Sequence, residues 1–279
     1  MTSIAQALSQ AIEQLHTSDT PQLDAEVLMT RVLGKPRSHL HAWPEAQLDT
    51  EQLSRFEALV MQRASGQPVA HLTGRREFWS LDLEVTAHTL IPRPETELLV
   101  EQALERLPAD RSIYILDAGT GSGAIALALA YERRHWQVFA SDRSPACLTV
   151  ARNNATRLEL TNIHFFTGNW CDAIADHSLD VLISNPPYIA EQDPHLVEGD
   201  VRFEPRSALT AGVSGLDDLH RLAAAASRVL KPGGQILLEH GFDQAEAVRN
   251  LLKQYGLIEQ GSASDLAGHE RVSYARKPG

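Results

Sequence analysis

The 279-residue chain has only two cysteines, Cys147 and Cys171. Neither stands in a CxxC pair or in a Cys/His cluster with zinc spacing. A disulfide framework and a zinc site are therefore not expected, no metal is assigned, and a reducing, cytoplasmic setting fits best. No stretch approaches the roughly 20 apolar residues that span a bilayer, so no membrane attachment is expected. The opening Met1-Thr2-Ser3-Ile4 lacks a basic region followed by an apolar run, which argues against a secretory signal. Basic charge is scarce too: 25 Lys and Arg face 36 Asp and Glu, a formal net of -11. Binding to bare nucleic acid is driven by phosphate neutralisation, so direct nucleic-acid binding is not expected. There is no internal repeat and no low-complexity segment.

What is present describes a globular protein, with 43% of residues hydrophobic. The first 75 or so residues read as helical. Ile4, Ala7, Leu8, Ile12 and Leu15 recur at helical spacing behind a Ser3 cap. A second helix opens at Pro21, carries Leu23, Val27, Leu28, Val32 and Leu33, and stops at Gly34. A third starts after Thr50 with Leu53, Phe56, Leu59 and Val60, and ends near Gly66. This bundle is too small to hold a large core alone. The period then changes to two: Phe78, Trp79, Leu81, Leu83 and Val85 predict a strand or hairpin that connects two domains. Ile91-Pro92-Arg93-Pro94-Glu95-Thr96-Glu97 follows, with Pro94 placed to start a helix.

From there strands and helices alternate. Short apolar runs fall at 113–116, 138–140, 163–166, 181–183 and 236–238, with helices such as 124–131 and 145–158 between them. Continuous apolar strands separated by helices indicate an α/β fold, a mostly parallel sheet covered on both faces. A late short strand at 272–275 is compatible with antiparallel pairing.

The first strand ends in Asp117-Ala118-Gly119-Thr120-Gly121-Ser122-Gly123, and a helix follows at once. Glycines permit the sharp turn and the close approach of a ligand to the backbone. The next strand ends in Ser141-Asp142, an acid about 20 residues on and placed to bond ribose hydroxyls. The spacing is GxGxG rather than the GxGxxG that seats a dinucleotide pyrophosphate on a helix N-terminus. Asp117 before the loop suits a cationic ligand end, such as the amino group of a methionine. A methyltransferase is favoured over a dehydrogenase on this loop.

The fourth strand runs into Asn185-Pro186-Pro187-Tyr188. Two prolines cannot continue a central strand and fix a rigid exit at the carboxyl end of the sheet. A planar NH2 group has two donors in one plane. The Asn185 side-chain oxygen and the Pro186 carbonyl supply two acceptors, and the Tyr188 ring can pack over the plane. Held so, the nitrogen aims its lone pair at a methylsulfonium carbon, and orientation supplies most of the rate. Taken alone, the same four residues read equally well as a structural turn.

Other candidates are weaker. Asn169 and Trp170 follow the third strand, where the indole serves either as an adenine platform or as plain core. Arg93 and Glu97 either line the mouth of the site or pair at a helix start. Phe203-Glu204-Pro205-Arg206 reads as a lid or as a solvated loop. Leu230-Lys231-Pro232-Gly233-Gly234 reads as a helix end turning into the fifth strand. At that strand's tip stand Glu239 and His240, the latter as a structural histidine.

Together these residues resemble the class I, Rossmann-like methyltransferases, and specifically the HemK/PrmC family of release-factor glutamine methyltransferases. The Asn-Pro-Pro-Tyr motif is shared with DNA adenine methyltransferases. The discriminating features are Ile91 to Glu97, the Phe203-Glu204-Pro205 stretch and the overall layout. Ribosomal-protein glutamine methyltransferases are similar but differ around Pro92 to Thr96. The resemblance implies a substrate-engaging helical domain over 1–75, a hairpin connector over 76–93 and a methyltransferase domain over 94–279. It implies S-adenosyl-L-methionine on Asp117, Gly119, Thr120, Gly121, Ser122 and Gly123, with Asp142 on ribose, Asn169 and Trp170 near adenine, and Asn185 adjoining. S-adenosyl-L-homocysteine is the product implied. Asn185, Pro186 and Tyr188 are the implied catalytic residues, and these with Pro187, Arg93 and Glu97 the substrate-binding set. The implied partner is a class 1 peptide-chain release factor, methylated on the glutamine of its Gly-Gly-Gln motif.

Overall fold

The structure is a computed structural model that describes residues 2–197 and 199–279. The chain divides into two compact units, one reaching to Arg75 with Val197–Phe203 added, the other comprising Arg76–Leu196 and Glu204–Gly279.

The smaller unit is built on α1 (Ile4–Gln14), α2 (Pro21–Leu33), α3 (Arg37–Ala42), α4 (Thr50–Ala64) and α5 (Val69–Thr73). Two starts are written in capping boxes. Ser3 and Gln6 exchange bonds at the head of α1, and Asp49 and Gln52 do the same at α4. Each satisfies two donors that a helix start leaves open. Pro21 stands in the first turn of α2, and Gly34 ends it in the left-handed region. Ile4, Leu15, Leu28, Met29, Phe56 and Val60 form its core. The segment Val197–Phe203 is held in this unit by polar contacts. Arg63 bonds Asp24 at 2.6 Å and Asp200 at 2.9 Å, and Arg202 donates to the Ser65 carbonyl at 2.8 Å. The short helices α3 and α5 carry too few turns for a readable period and were not expected from the sequence.

The larger unit opens with β1 (Arg75–Phe78) and β2 (Leu81–Glu84), which form a two-stranded sheet. The turn is Trp79-Ser80, both with positive φ (53° and 57°), the backbone of a type I′ hairpin without its usual Asn or Gly. Two carboxylates hold it: the Trp79 amide donates to Glu97 at 2.8 Å, and the indole N–H donates to Glu132 at 2.8 Å. The expectation of a separate connector over 76–93 needs correction. Phe78, Leu81 and Leu83 are buried in the main core. Asn154 pairs with Glu84 through both its amide ends and also donates to the Ser122 carbonyl. The hairpin is thus part of the larger unit and braces the glycine loop.

The remaining elements are α6 (Glu97–Arg106), β3 (Tyr114–Ala118), α7 (Ala124–Glu132), β4 (Gln137–Asp142), α8 (Pro145–Arg157), β5 (Ile163–Thr167), β6 (Leu179–Ser184), α9 (Asp217–Val229), β7 (Leu230–Glu239), α10 (Ala245–Gln254), β8 (Ile258–Ser264) and β9 (Glu270–Arg276). A single 3₁₀ turn, Pro94–Thr96, precedes α6. The seven strands are ordered β5-β4-β3-β6-β7-β9-β8, parallel except for β9. Every residue of α7 from Ala124 to Ala130 is buried, as befits a helix apolar all round. Clusters around Leu99, Ile115, Leu127 and Trp136, and around Leu116, Leu182, Leu222 and Leu238, cover the two faces.

The Leu230-Lys231-Pro232-Gly233-Gly234 stretch leads from a helix end into a strand, with Leu230 as the C-cap of α9. β7 already begins at Leu230, which pairs with Leu179 before a register shift. Gly233 turns the chain at φ 78°, and a Cβ on Gly234 would press on the Asp180 carbonyl at 3.1 Å. Among the described residues no helix is long and apolar enough to cross a membrane.

Candidate active site

Chain order places β4 on one side of β3 and β6 on the other. The strand order therefore reverses at β3, and the crevice beyond the carboxyl ends of β3 and β6 is where open α/β sheets bind ligands. A cavity of about 270 Å³ lies there. Its walls include Gly119 to Ser122, Asp142, Asn169, Trp170, Asn185 and Pro187.

The glycine loop is shaped by backbone bonds. The Gly119 and Thr120 amides both donate to the Ser141 carbonyl at 2.9 Å. Gly119, Gly121 and Gly123 have φ of 79°, 57° and 90°, a region that costs other residues energy. A Cβ on Gly119 would fall 2.9 Å from the Trp170 ring, and one on Gly123 would fall 2.8 Å from Leu127. Trp170 itself has φ 50°, and its ring forms cavity wall above Gly119 as well as packing on the core.

Asp117 is fully buried beneath the loop. One carboxylate oxygen accepts from the Thr120 hydroxyl at 2.7 Å and the Ala126 amide at 3.3 Å, and the other has no hydrogen-bond partner among the described residues. Burial, with the Asp142 charge adding to it, raises its pKa to about 7 against the opposing bonds from Thr120 and Ala126. Asp142 reaches the cavity while accepting from the Gly121 amide at 3.0 Å and the Ser144 amide at 2.8 Å. Each oxygen keeps a lone pair for a further donor. The Asn169 side chain donates to Asp172 at 3.2 Å.

At the Asn-Pro-Pro-Tyr turn, the Asn185 amide NH2 donates to the Thr96 hydroxyl at 3.0 Å. Asn185 and Pro187 form cavity wall, while Pro186 is buried behind them. The Tyr188 hydroxyl turns inward to Glu239 at 3.4 Å, and burial raises its pKa, with the Glu239 charge adding to this. Its carbonyl accepts from Gln244 at 3.0 Å.

Arg93 and Glu97 are separated in role. Arg93 contributes to the cavity wall and pairs not with Glu97 but with buried Glu204, which also accepts from the Ile91 amide at 2.9 Å. Glu97 is not part of the wall and instead anchors the Trp79 turn. The Phe203-Glu204-Pro205 stretch is neither a solvated loop nor a loose flap. Glu204 staples it to the Pro-Arg-Pro segment, and Pro205, Ser207 and Ala208 face the cavity. His240 is buried between the Gly241 carbonyl and the Ser273 hydroxyl, and burial lowers its pKa. A neutral histidine with both nitrogens bonded is structural. Thr96 and Glu239 were not assigned to the site from the sequence. The only available signal was their location, one inside the Pro-Arg-Pro-Glu-Thr stretch and the other at a strand tip.

This sheet order, with a glycine loop after its first parallel strand and an Asn-Pro-Pro-Tyr turn after its fourth, defines a Rossmann-like methyltransferase fold. Residues 109–271 match the methyltransferase domain family. A solved methyltransferase from Pyrococcus furiosus has the same fold with a TM-score of 0.55 at 16% identity, covering 81% of this chain and 99% of that one. Residues 6–74 match the PrmC N-terminal domain family. Release factor glutamine methyltransferases of Escherichia coli K12 and Salmonella typhimurium LT2 are each 48% identical over 269 residues, 96% of this chain and 97% of theirs. That of Coxiella burnetii is 46% identical over 278 residues, 99% of this chain and 100% of its own. The chain belongs to the release factor glutamine methyltransferase family.

Proposed function

We propose that this enzyme transfers a methyl group from S-adenosyl-L-methionine to the side-chain amide nitrogen of the glutamine in the Gly-Gly-Gln motif of class 1 peptide-chain release factors, in the cytoplasm. The observation that carries this reading is Asn185, fixed at the wall of the cavity that the glycine loop also lines. Family membership supplies the substrate class.

The residues fit the donor. Asp117 keeps a buried carboxylate oxygen without a partner among the described residues, which suits an amino group. The missing Cβ of Gly119 lets the Trp170 ring close onto the glycine loop. Asp142 has lone pairs to spare for ribose hydroxyls, and Trp170 with Asn169 would take the adenine. When bound, S-adenosyl-L-methionine supplies an electrophilic methyl group on a sulfonium that leaves as a neutral thioether.

An amide nitrogen is a weak nucleophile because its lone pair is delocalised. The Asn185 side-chain oxygen and the Pro186 carbonyl would each accept one N–H. This fixes the plane and raises electron density on nitrogen. Tyr188 and Pro187 would bound the plane sterically. Proton loss can accompany or follow transfer, so the chain's task is orientation. Incubating the enzyme with a release factor and methyl-labelled S-adenosyl-L-methionine tests the reading. Label on the Gly-Gly-Gln glutamine is expected. Its absence, or label on duplex DNA instead, would reject the assignment.

A further inference from the structure

The glycines that let the loop turn also leave its shape undecided. Glycine takes positive and negative φ with similar ease. As far as Gly123 is concerned, the peptide plane between Ser122 and Gly123 can stand either way up. Two bonds choose for it. The Gly123 amide donates to the Thr120 carbonyl at 2.8 Å, inside the loop. The Ser122 carbonyl accepts from the Asn154 side chain at 3.0 Å, from outside it. A flipped plane would forfeit both.

Asn154 stands on α8 and is fully buried. Its amide carries two donors and one oxygen with two lone pairs, and all four are used. The oxygen accepts from the Glu84 amide at 2.7 Å and from the Arg157 guanidinium at 3.2 Å. The nitrogen donates to the Glu84 carbonyl at 3.0 Å and to the Ser122 carbonyl. The oxygen meets only donors and the nitrogen only acceptors, so the amide has a single sense. Glu84 ends β2, whose Leu81 and Leu83 are buried in the main core. The anchor is thus held by a helix and a hairpin, and the loop conforms to it.

We propose that Asn154 is a positioning residue for the cofactor, holding the Ser122–Gly123 peptide in the shape that receives S-adenosyl-L-methionine before the ligand arrives. This rests on the cofactor reading above and adds a residue outside the cavity. Ser122 forms cavity wall and Asn154 does not, so Asn154 acts on the ligand only through the loop. Without the anchor the free loop divides between shapes, and the apparent affinity falls by the fraction that stays competent. The bound loop has one shape in either case. The ligand therefore leaves at the same rate, and the loss falls on association.

The test uses the full-length enzyme and S-adenosyl-L-homocysteine, with Asn154→Ala as the probe and Arg157→Gln as the control. Asn154→Ala is expected to weaken binding about tenfold by calorimetry. Stopped-flow tryptophan fluorescence should place that loss in the association rate, with dissociation unchanged. At saturating S-adenosyl-L-methionine, kcat on a release factor stays within about twofold of wild type, so the change falls on the cofactor KM. Arg157→Gln leaves the Ser122 bond in place and keeps wild-type affinity. A merely structural role would lower the melting temperature and leave the affinity of the folded protein alone. Unchanged affinity in Asn154→Ala, an equal loss in Arg157→Gln, or a loss confined to dissociation would overturn the proposal. Should Asn154→Ala fail to fold, amide exchange in the wild-type enzyme decides. The Gly123 N–H is expected to be protected without ligand, and protection gained only on binding S-adenosyl-L-homocysteine would overturn the proposal. A wild-type enzyme that binds no S-adenosyl-L-homocysteine overturns the cofactor reading instead, which separates the two failures.

Discussion

The backbone of Gly119 lies against the ring of Trp170, so closely that a Cβ would sit 2.9 Å from the indole edge. At φ 79° that residue is also in a region that L side chains resist. Gly119→Ala is expected to lower stability by about 1–3 kcal/mol. It should also weaken S-adenosyl-L-homocysteine binding, because the ring must swing into the cavity. Thermal unfolding and calorimetry check the pair. Full affinity in a folded Gly119→Ala would contradict the cradle.

Asp117 offers a pH test. Its pKa rises from 3.8 to about 7, first through burial, so the folded state holds a proton that the unfolded state has released. The associated stabilisation is fully present below about pH 4 and is lost as pH rises through about 7. Glu239 acts in the same direction over its own window, from 4.5 to about 7. Asp117→Asn should flatten the fall in unfolding free energy between about pH 4 and about pH 7. Binding of S-adenosyl-L-homocysteine near neutral pH should release a proton from Asp117, read by calorimetry in buffers of different ionisation enthalpy. That release should vanish in the variant.

Asn185 and Asp142 should separate turnover from cofactor binding. Asn185→Ala is expected to cut kcat by about a hundredfold or more while leaving S-adenosyl-L-homocysteine affinity near wild type. Asp142→Ala should chiefly weaken that affinity. Equal losses in Asn185→Ala would reassign it to the fold or the cofactor pocket.

The Arg93–Glu204 pair joins the Pro-Arg-Pro stretch to the segment over the cavity. Arg93→Met removes the cation beside a buried carboxylate. With the Arg93 side chain 31% exposed, solvent softens the loss, and about 1–3 kcal/mol of stability is expected to go. Denaturant unfolding measures it. A rise in KM with little change in kcat should accompany it if the segment helps shape the substrate mouth.

The glycine loop and the Asn-Pro-Pro-Tyr turn were legible because backbone chemistry writes them locally. Positive φ demands glycine, and a missing N–H forbids a strand. The alternation of α7, β4 and α8 was legible through apolar runs of the right length. Thr96, Glu204 and Glu239 were not assigned, because each acts on a partner far along the chain: Thr96 meets Asn185 across 89 positions, and Glu204 meets Arg93 across 111. Glu97 misled for the same reason, its true partner being the Trp79 amide. The Trp79-Ser80 turn was hidden because neither residue type signals positive φ. β8 escaped because Glu259, Gln260, Gly261 and Ser262 give no apolar alternation.

The strand order β7-β9-β8 constrains assembly. β8 precedes β9 in the chain but touches the sheet only through it. β8 and β9 pair with each other as an antiparallel hairpin, so β8 joins the sheet only when β9 docks on β7, and until then the edge of β7 remains open to any passing strand. The closing of this sheet is therefore ordered, with the later strand admitting the earlier one. Amide exchange in a refolding chain should show β8 gaining protection no earlier than β9.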